Sequence, residues 1–192
     1  MTRNLDAIAV AAIVADALGR LGLPYSIGGS LASSVSGEPR STLDIDMVVA
    51  FEERDAPAIA AALGDQFYVD ERAVARAARD RSSVNAIHIE SSIKVDLFAA
   101  GGSALDGELL QRRLLMTFGD ERDEELWVHS AEDILLQKLR WYGLGGASSD
   151  RQWRDVVGVV RVQGTRLDRA YLLAGAERLG VVNLLNKALD AG

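Results

Sequence analysis

Cysteine is absent from this chain of 192 residues, and histidine occurs only twice. The absence of cysteine excludes disulfide bonds and thiolate metal ligands, and two histidines alone do not make a convincing zinc site. A reducing compartment is the default expectation for such a chain. We therefore predict a cytoplasmic protein.

Long hydrophobic runs are also missing. The apolar stretch near the N-terminus is interrupted by Asp6 and Asp16, and no run approaches the roughly 18 apolar residues that a membrane span requires. Apolar residues make up 48% of the chain and charged residues 26%, which is the usage of an ordinary globular protein. The sequence predicts neither a membrane span nor a signal peptide, and no membrane partner.

Positive charge is in deficit, since the formal net charge is −7. This deficit argues against a protein that coats nucleic acid through its electrostatic field. The charge is also uneven, because residues 44–71 hold eight acidic residues and one basic residue, whereas residues 134–170 hold seven basic and three acidic. Two interpretations remain open: a metal-binding half that faces a phosphate-binding half, or a chance distribution of surface charge.

Hydrophobic periodicity predicts an alternation of helices and strands, followed by helices alone. The predicted helices of the first part are residues 5–21, 31–36 and 56–63, and the predicted strands are 24–27, 43–51, 67–69, 84–90 and 92–98. The predicted helices of the second part are residues 130–141, 151–162, 167–178 and 181–188. We therefore predict an α+β fold, with a mixed β-sheet core and flanking helices over residues 1–128 and a C-terminal helical bundle over residues 129–192.

One predicted strand carries a pair of carboxylates. Asp44 and Asp46 are two residues apart, so both side chains project from one face of a strand while Ile45 projects from the other. Like charges held this close repel each other unless a cation lies between them, and oxygen ligands favour Mg²⁺ or Mn²⁺ over zinc. If the strand that carries Asp96 lies beside this one, three carboxylates converge, which suits a two-metal phosphoryl displacement.

A glycine turn precedes the acidic strand. Gly28 and Gly29 follow a predicted strand, and Ser30 opens the next predicted helix. Glycines let a backbone approach a ligand closely, and the start of a helix offers free N–H groups to phosphate. By itself the turn is weak support for a phosphate site, because Gly-Gly-Ser is common in ordinary turns.

The glycine turn and the acidic strand together resemble the signature of the DNA polymerase β-like nucleotidyltransferase superfamily. The segment 25–30 (YSIGGS) and the Gly-x-x-Arg-x-Thr-x-Asp-x-Asp spacing of residues 37–46 carry the resemblance, with Asp96 as the third acid. Within the superfamily the chain resembles the AbiEii-type enzymes, many of which act as toxins in toxin–antitoxin systems. The resemblance implies a nucleotidyltransferase core, a nucleoside triphosphate (NTP) as substrate, Mg²⁺ or Mn²⁺ on Asp44, Asp46 and Asp96, and an antitoxin partner.

The C-terminal helices resemble the same family. Lys138 and the pair Arg154–Asp155 match its helical motif of a lysine followed by a basic-Asp pair, although Gly158 stands where a further acid often follows. The resemblance implies that Lys138 and Arg154 bind substrate, with Lys138 on the triphosphate. Arg40 precedes the acidic strand and either contacts phosphate or anchors an aspartate.

Other polar and aromatic residues have simpler interpretations. Trp141, Tyr142 and Trp153 recur at helical spacing, which favours core positions over base stacking. His88 alternates with isoleucines on a predicted strand and is expected to face solvent, whereas His129 precedes the predicted helix cap Ser130 and is expected to be structural.

The leading hypothesis is an enzyme that transfers a nucleoside monophosphate (NMP) from an NTP to a hydroxyl and releases pyrophosphate. The resemblance implies an RNA end or a protein hydroxyl as acceptor. Two alternatives stay open: an adenylyltransferase that modifies a small molecule such as an aminoglycoside, and a catalytically inactive module that binds nucleotide or a protein partner.

Overall fold

The computed structural model describes residues 7–37, 44–118 and 124–192, which form seven strands and nine α-helices. The strands are β1 (Tyr25–Ile27), β2 (Asp44–Val49), β3 (Phe67–Tyr68), β4 (Ser83–His88), β5 (Lys94–Ala99), β6 (Leu114–Phe118) and β7 (Glu124–Val128). The helices are α1 (Ala7–Arg20), α2 (Gly29–Ser36), α3 (Ala56–Leu63), α4 (Glu71–Asp80), α5 (Asp106–Arg112), α6 (Ala131–Leu144), α7 (Asp150–Gln163), α8 (Arg169–Leu179) and α9 (Val182–Ala191).

The strands form one mixed sheet in the order β3-β4-β5-β2-β1-β7-β6. Two neighbouring pairs, β2 with β5 and β1 with β7, are parallel, and the other pairs are antiparallel. Strands β4 and β5, which follow each other in sequence, form an antiparallel hairpin. The predicted α+β class, with a mixed sheet, flanking helices and a helical C-terminal part, is confirmed.

Local sequence explains where several helices begin and end. Helix α3 ends at Gly64, which has a positive φ of 54° that a glycine adopts without strain. Helices α6, α7 and α8 begin after Ser130, Ser149 and Asp168, and each of these side chains accepts a hydrogen bond from a backbone N–H of the first turn. Periodicity predicted these boundaries to within two residues, and Ser130 was also predicted as a cap.

The sequence analysis did not predict α4, α5, β6 and β7. Helix α4 is rich in arginine and acids, and its buried stripe consists only of Val74, Ala77 and Ala78. Strand β6 lies at the edge of the sheet and leaves Leu114 and Leu115 half exposed, so its burial does not alternate. Small buried side chains and an edge position both weaken the periodic signal from which the other elements were predicted.

The two faces of the sheet differ in character. Alternate residues of β2 and β5 are fully buried, among them Ile45, Met47, Val95 and Leu97. Helices α1, α3 and α4 pack on this apolar side, whereas the intervening residues of the same strands are polar and less buried. This separation follows from the two-residue period of a strand, and it leaves one face of the sheet available for chemistry.

The C-terminal helices complete the hydrophobic core. Helix α6 contacts α7, α8 and α9, and helix α2 lies against α6 and α7. One buried cluster includes residues of α1, of the sheet and of all four C-terminal helices. The predicted subdomain boundary between residues 128 and 129 stays a prediction. Within the described ranges, no helix is long and apolar enough to cross a bilayer.

One prediction about a strand face is wrong. His88 was expected to face solvent, but it is 3% exposed, while Ile87 and Ile89 on either side are 37% and 60% exposed. The His88 ring packs edge-on against Phe67, and its Nδ1 lies 2.9 Å from Ser91 Oγ. The prediction had the correct two-residue period but assigned His88 to the wrong face of the strand. Hydrogen bonds within the turn after β4 make the buried position acceptable for an imidazole.

Candidate active site

The acidic residues lie on adjacent strands. Strands β2 and β5 are parallel neighbours, and their register sets Asp46 opposite Asp96 and Asp44 opposite Lys94. Since these residues occupy the same phase of both strands, their side chains share the polar face of the sheet. The structure therefore places the three predicted carboxylates on one face of two adjacent strands.

A lysine lies among these carboxylates, and the sequence analysis did not single it out. Lys94 Nζ is 2.9 Å from Asp96 Oδ2 and 3.9 Å from Asp44 Oδ1. Its place two residues before Asp96 on a strand was the available signal, because that spacing repeats the spacing of the two acids on β2. The positive charge of Lys94 therefore lies on the same face of the sheet as the three acids.

The surroundings of Asp46 disfavour the ionised form of its carboxyl group. Burial raises the pKa of Asp46, the carboxylates of Asp96 and Asp44 raise it further, and Lys138 and Lys94 lower it. The buried Oδ1 of Asp96 has no hydrogen-bond partner among the residues that the structure describes. A buried acceptor beside a destabilised carboxylate is the environment that a cation would relieve, so these residues fit a divalent metal.

The side chains are not arranged as a finished metal centre. In the described part of the chain, no group of three or more histidine, aspartate or glutamate side chains is close enough to hold one metal ion together. Asp44 is largely exposed at 62%, whereas Asp96 is 15% exposed. Binding of a metal by all three acids would therefore require their side chains to rearrange.

The glycine turn fits closely against the acidic strand. The backbone N–H of Gly28 donates to the Asp46 carbonyl at 2.8 Å. A Cβ on Gly29 would overlap the Asp46 carboxylate, and Gly29 also has a positive φ of 58°. A Cβ on Gly28 would lie 2.6 Å from His129 Nε2. Both positions therefore require glycine, and Ser30 follows in the first turn of α2.

The side chain of His129 packs against the glycine turn at Gly28. Its ring is buried, its Nδ1 lies 2.7 Å from Ser26 Oγ, and its Nε2 has no hydrogen-bond partner within the described ranges. Complete burial lowers the pKa of His129 to about 3, so the imidazole is neutral at physiological pH. A buried, neutral His129 packed against Gly28 agrees with the structural role that was expected of it.

A cavity of about 750 Å³ opens in front of the turn and the acidic strand. Gly28, Gly29, Ser30 and Asp46 line one side of it. Residues of β4, of the loop after β5, and of helices α6 and α7 line the rest. The C-terminal helices are thus the opposite wall of the same cavity.

Lys138 reaches this cavity from α6. Its Nζ donates to Asp155 Oδ2 at 2.8 Å, and both side chains are almost buried, at 11% and 12% exposure. The predicted partners of the helical motif therefore contact each other across α6 and α7. This ion pair keeps the ammonium near Asp46 and restrains its position in the absence of substrate.

Arg154, a further predicted substrate-binding residue, is not part of the cavity wall. It is exposed on α7 and donates from Nε to the Asp150 carbonyl at 3.4 Å. Arg151, one helical turn earlier, lines the cavity instead. The sequence motif did not reveal this because residues three apart on a helix differ by about 60° in direction. Arg40 lies outside the described residues.

The aromatic residues of α6 and α7 are split between core and cavity. Tyr142 and Trp153 pack with ring centroids 5.4 Å apart, as expected for core positions. Trp141 was also expected in the core, and that prediction is wrong, because its side chain is 48% exposed and lines the cavity. Adjacent residues on a helix point about 100° apart, so burial of Tyr142 turns Trp141 outward.

No protein-family model matches the chain, and no curated protein sequence matches it. Among solved structures, similar chains have the nucleotidyltransferase fold, and we conclude that this chain has that fold too. The solution structure of the antibiotic-resistance factor ANT(2'')-Ia is 13% identical, with a TM-score of 0.61 over 94% of this chain and 96% of that one. An antigenic nucleotidyltransferase-like protein from Paracoccidioides brasiliensis is 16% identical, with a TM-score of 0.56 over 97% of this chain and 94% of that one.

A crystal structure of ANT(2'')-Ia in complex with adenylyl-2''-tobramycin is also similar, at 16% identity and a TM-score of 0.52 over 94% of this chain and 97% of that one. Identities this low establish the fold and nothing finer. The resemblance to AbiEii-type enzymes stays a prediction.

Proposed function

We propose that this protein transfers an NMP from an NTP to a hydroxyl acceptor and releases pyrophosphate. The observation that carries the proposal is the register of β2 and β5, which sets Asp46 opposite Asp96 beside the glycine turn. Carboxylates on one side of a cavity and phosphate-binding backbone groups on the same side are the two parts that nucleotidyl transfer needs.

The carboxylates of Asp44, Asp46 and Asp96 would hold Mg²⁺ or Mn²⁺. When bound, the metal offsets the charge of the triphosphate and of the pentacoordinate transition state. In the same assignment Asp96 would accept the proton of the attacking hydroxyl. In this assignment Asp46 binds metal only, since the turn packs directly against its carboxylate.

The glycine turn and Lys138 would bind the triphosphate. The N–H groups at the start of α2 attract negative charge, and the Ser30 hydroxyl adds a contact of the same kind. Lys138 is held beside Asp46 by Asp155 and supplies a positive charge that is already oriented. Arg151 replaces Arg154 in our assignment of the cavity wall that faces the phosphates.

Trp141 would stack against the nucleobase. Its ring is half exposed in the cavity, with the Arg140 guanidinium 5.5 Å from the ring centroid. A flat aromatic surface binds any base, which leaves base preference to other contacts.

Replacing Trp141 with phenylalanine is expected to remove most of the fluorescence quenching that NTP causes in the wild type, because only this tryptophan lines the described cavity. Trp141→Ala is expected to weaken NTP binding about tenfold, as loss of one stacking contact does. Fluorescence titration with each NTP measures both effects. Trp127→Phe is the control, since Trp127 lies on β7 against Arg113, and loss of quenching in that variant instead would contradict the assignment.

The acceptor is proposed to be an RNA end or a protein hydroxyl, in a cytoplasmic toxin–antitoxin system with an antitoxin partner. The charges in the cavity support an anionic or neutral acceptor. Arg81, Arg140 and Arg151 line it, although Arg81 also pairs with Glu52. Apart from Asp46 in the proposed metal site, the lining acids are Asp106 and Asp155, which already accept hydrogen bonds from backbone N–H groups and from a lysine.

A small-molecule adenylyltransferase is the second candidate, favoured by the similarity to ANT(2'')-Ia over nearly the whole chain. A polycationic acceptor would need carboxylates without partners on the acceptor side of the cavity. The arginines on that side are the observation against it.

Incubation of the purified protein with each labelled NTP, with Mg²⁺ or a chelator, tests the function directly. We expect pyrophosphate release that requires the metal, and label in RNA or protein when a total cell extract is supplied. Label in an aminoglycoside but in no macromolecule would favour the second candidate. Metal-dependent binding of NTP without any transfer would instead identify an inactive nucleotide-binding module.

A further inference from the structure

The acidic face of the sheet combines crowded negative charge with one tethered positive charge. Asp46 and Asp96 face each other on adjacent strands, and Asp44 lies two residues from Asp46. Lys94 Nζ forms an ion pair with Asp96 at 2.9 Å and approaches Asp44 at 3.9 Å.

Lys94 differs from the other lysine near these acids. Lys138 is nearly buried and is engaged by Asp155 at 2.8 Å, so its position is fixed by a helix on the far side of the cavity. The Lys94 side chain is 37% exposed and is joined to the sheet by a flexible four-carbon stem. Lys94 can therefore leave the carboxylates for solvent without any movement of the backbone.

An ammonium and a divalent cation compete for the same carboxylate, because both bind its oxygen atoms and repel each other. Lys94 occupies Oδ2 of Asp96, while Oδ1 has no partner among the described residues. A metal ion that binds Asp46 and Asp96 together would therefore find Asp96 already paired with Lys94. The same ion pair offsets the repulsion between the carboxylates when metal is absent.

We propose that Lys94 is a built-in counter-ion that stabilises the acidic face in the metal-free protein and releases Asp96 when a divalent cation binds. The inference rests on the proposed metal-dependent function and adds a positioning residue to it. Lys94 then has two opposite effects: it stabilises the fold without metal and lowers the affinity for metal.

The test is Lys94→Gln, studied with Mn²⁺ as the probe. Electron paramagnetic resonance of free Mn²⁺ is expected to show binding tightened by about fivefold or more, since a partly exposed unit charge has been removed from the site. Thermal unfolding in chelator is expected to show a lower midpoint than wild type, and saturating Mn²⁺ should raise the midpoint more in the variant than in the wild type.

Arg79→Gln is the matched control, because it removes the same charge from an exposed side chain that pairs with Glu53 and does not line the cavity. It is expected to leave Mn²⁺ affinity within about twofold. Unchanged or weaker Mn²⁺ binding in a folded Lys94→Gln protein overturns the inference, while Mn²⁺ binding by the wild type still supports the proposed function. A wild type that binds no Mn²⁺ with or without NTP overturns both.

Lys94→Arg keeps the test decisive if Lys94→Gln does not fold. The guanidinium retains the charge and holds a carboxylate with two donors, so Mn²⁺ binding is expected at or below wild-type affinity. Tighter Mn²⁺ binding by the arginine variant would also overturn the inference.

Discussion

Asp46→Asn is expected to reduce NTP-dependent pyrophosphate release by about 10³-fold or more, because the amide carries no charge with which to hold a divalent cation. The substitution preserves the shape of the side chain that packs against Gly29. The loss should therefore reflect chemistry and not a collapsed turn. Initial rates with saturating NTP and Mg²⁺ measure the effect.

The same substitution is expected to stabilise the metal-free protein. Burial and the neighbouring acids raise the pKa of Asp46 in the folded state, so the folded chain binds this proton more tightly than the unfolded chain does. Stability conferred by the protonated form is lost as the pH rises from the ordinary carboxyl range through the raised pKa. At neutral pH the ionised Asp46 thus destabilises the fold, and asparagine removes that cost.

Thermal unfolding in chelator across pH 4 to 8 separates the two effects of Asp46→Asn. The unfolding midpoint of the variant should exceed that of the wild type near pH 7, and the difference should shrink toward pH 4. Asp65→Asn is a suitable control, since Asp65 is exposed and does not line the cavity. Full activity in Asp46→Asn would remove Asp46 from the proposed metal site.

Gly29→Ala is expected to inactivate the protein and to destabilise it. Gly29 has a positive φ of 58°, which costs an alanine roughly 1–2 kcal/mol. The added Cβ would also overlap the Asp46 carboxylate, so either the turn or the acid must move. A displacement of about 1 Å at a reacting centre lowers rates roughly 10²-fold, and we expect at least that loss.

Gly180→Ala separates the backbone cost from the overlap. Gly180 has a similar positive φ of 69° at the end of α8, and nothing lies within 4 Å of where its Cβ would stand. The variant should lose a comparable part of its stability and retain wild-type rates of pyrophosphate release. Equal inactivation of Gly180→Ala and Gly29→Ala would show that loss of stability, and not the geometry at Asp46, explains the effect.

The contact between Gly29 and Asp46 links the glycine turn to the acidic strand β2. Because the turn cannot shift without moving the acid, the expected positions of triphosphate and metal are set by one local packing arrangement. The hydrogen bond from Gly28 to the Asp46 carbonyl holds the same two segments together. Substitutions on either segment should therefore affect both metal and NTP binding, which a double-mutant cycle can measure.

Much of the fold was predictable because its signals are local. Capping side chains at Ser130, Ser149 and Asp168 and the glycine after α3 lie beside the helices that they limit. Local sequence favours pairing only between strands that are neighbours in the chain, as β4 and β5 and also β6 and β7 are. The parallel pairing of β2 with β5 joins segments about 50 residues apart, and no local pattern determines such a pairing.

The site was predictable by residue type but not by contact. The three acids, the glycine turn and Lys138 stand out as residues, whereas Lys94 became notable only when the structure placed its ammonium between two of the acids. Trp141 and Arg151 were misjudged or overlooked for a similar reason. Which side of a helix faces the cavity depends on how that helix packs on its neighbours, and the spacing of aromatic or basic residues does not report it.

The sequence by itself determined the order of the helices and strands other than α4, α5, β6 and β7, the alternation that separates an apolar from an acidic sheet face, and the glycines that allow a close turn. These depend on backbone preferences and side-chain periods within a few residues. Only the tertiary structure decided that Asp46 lies opposite Asp96, that Gly29 packs on Asp46, and that Lys94 pairs with Asp96. Those contacts join distant segments, and they form because burying the apolar faces of the sheet and helices together stabilises one arrangement of the whole chain.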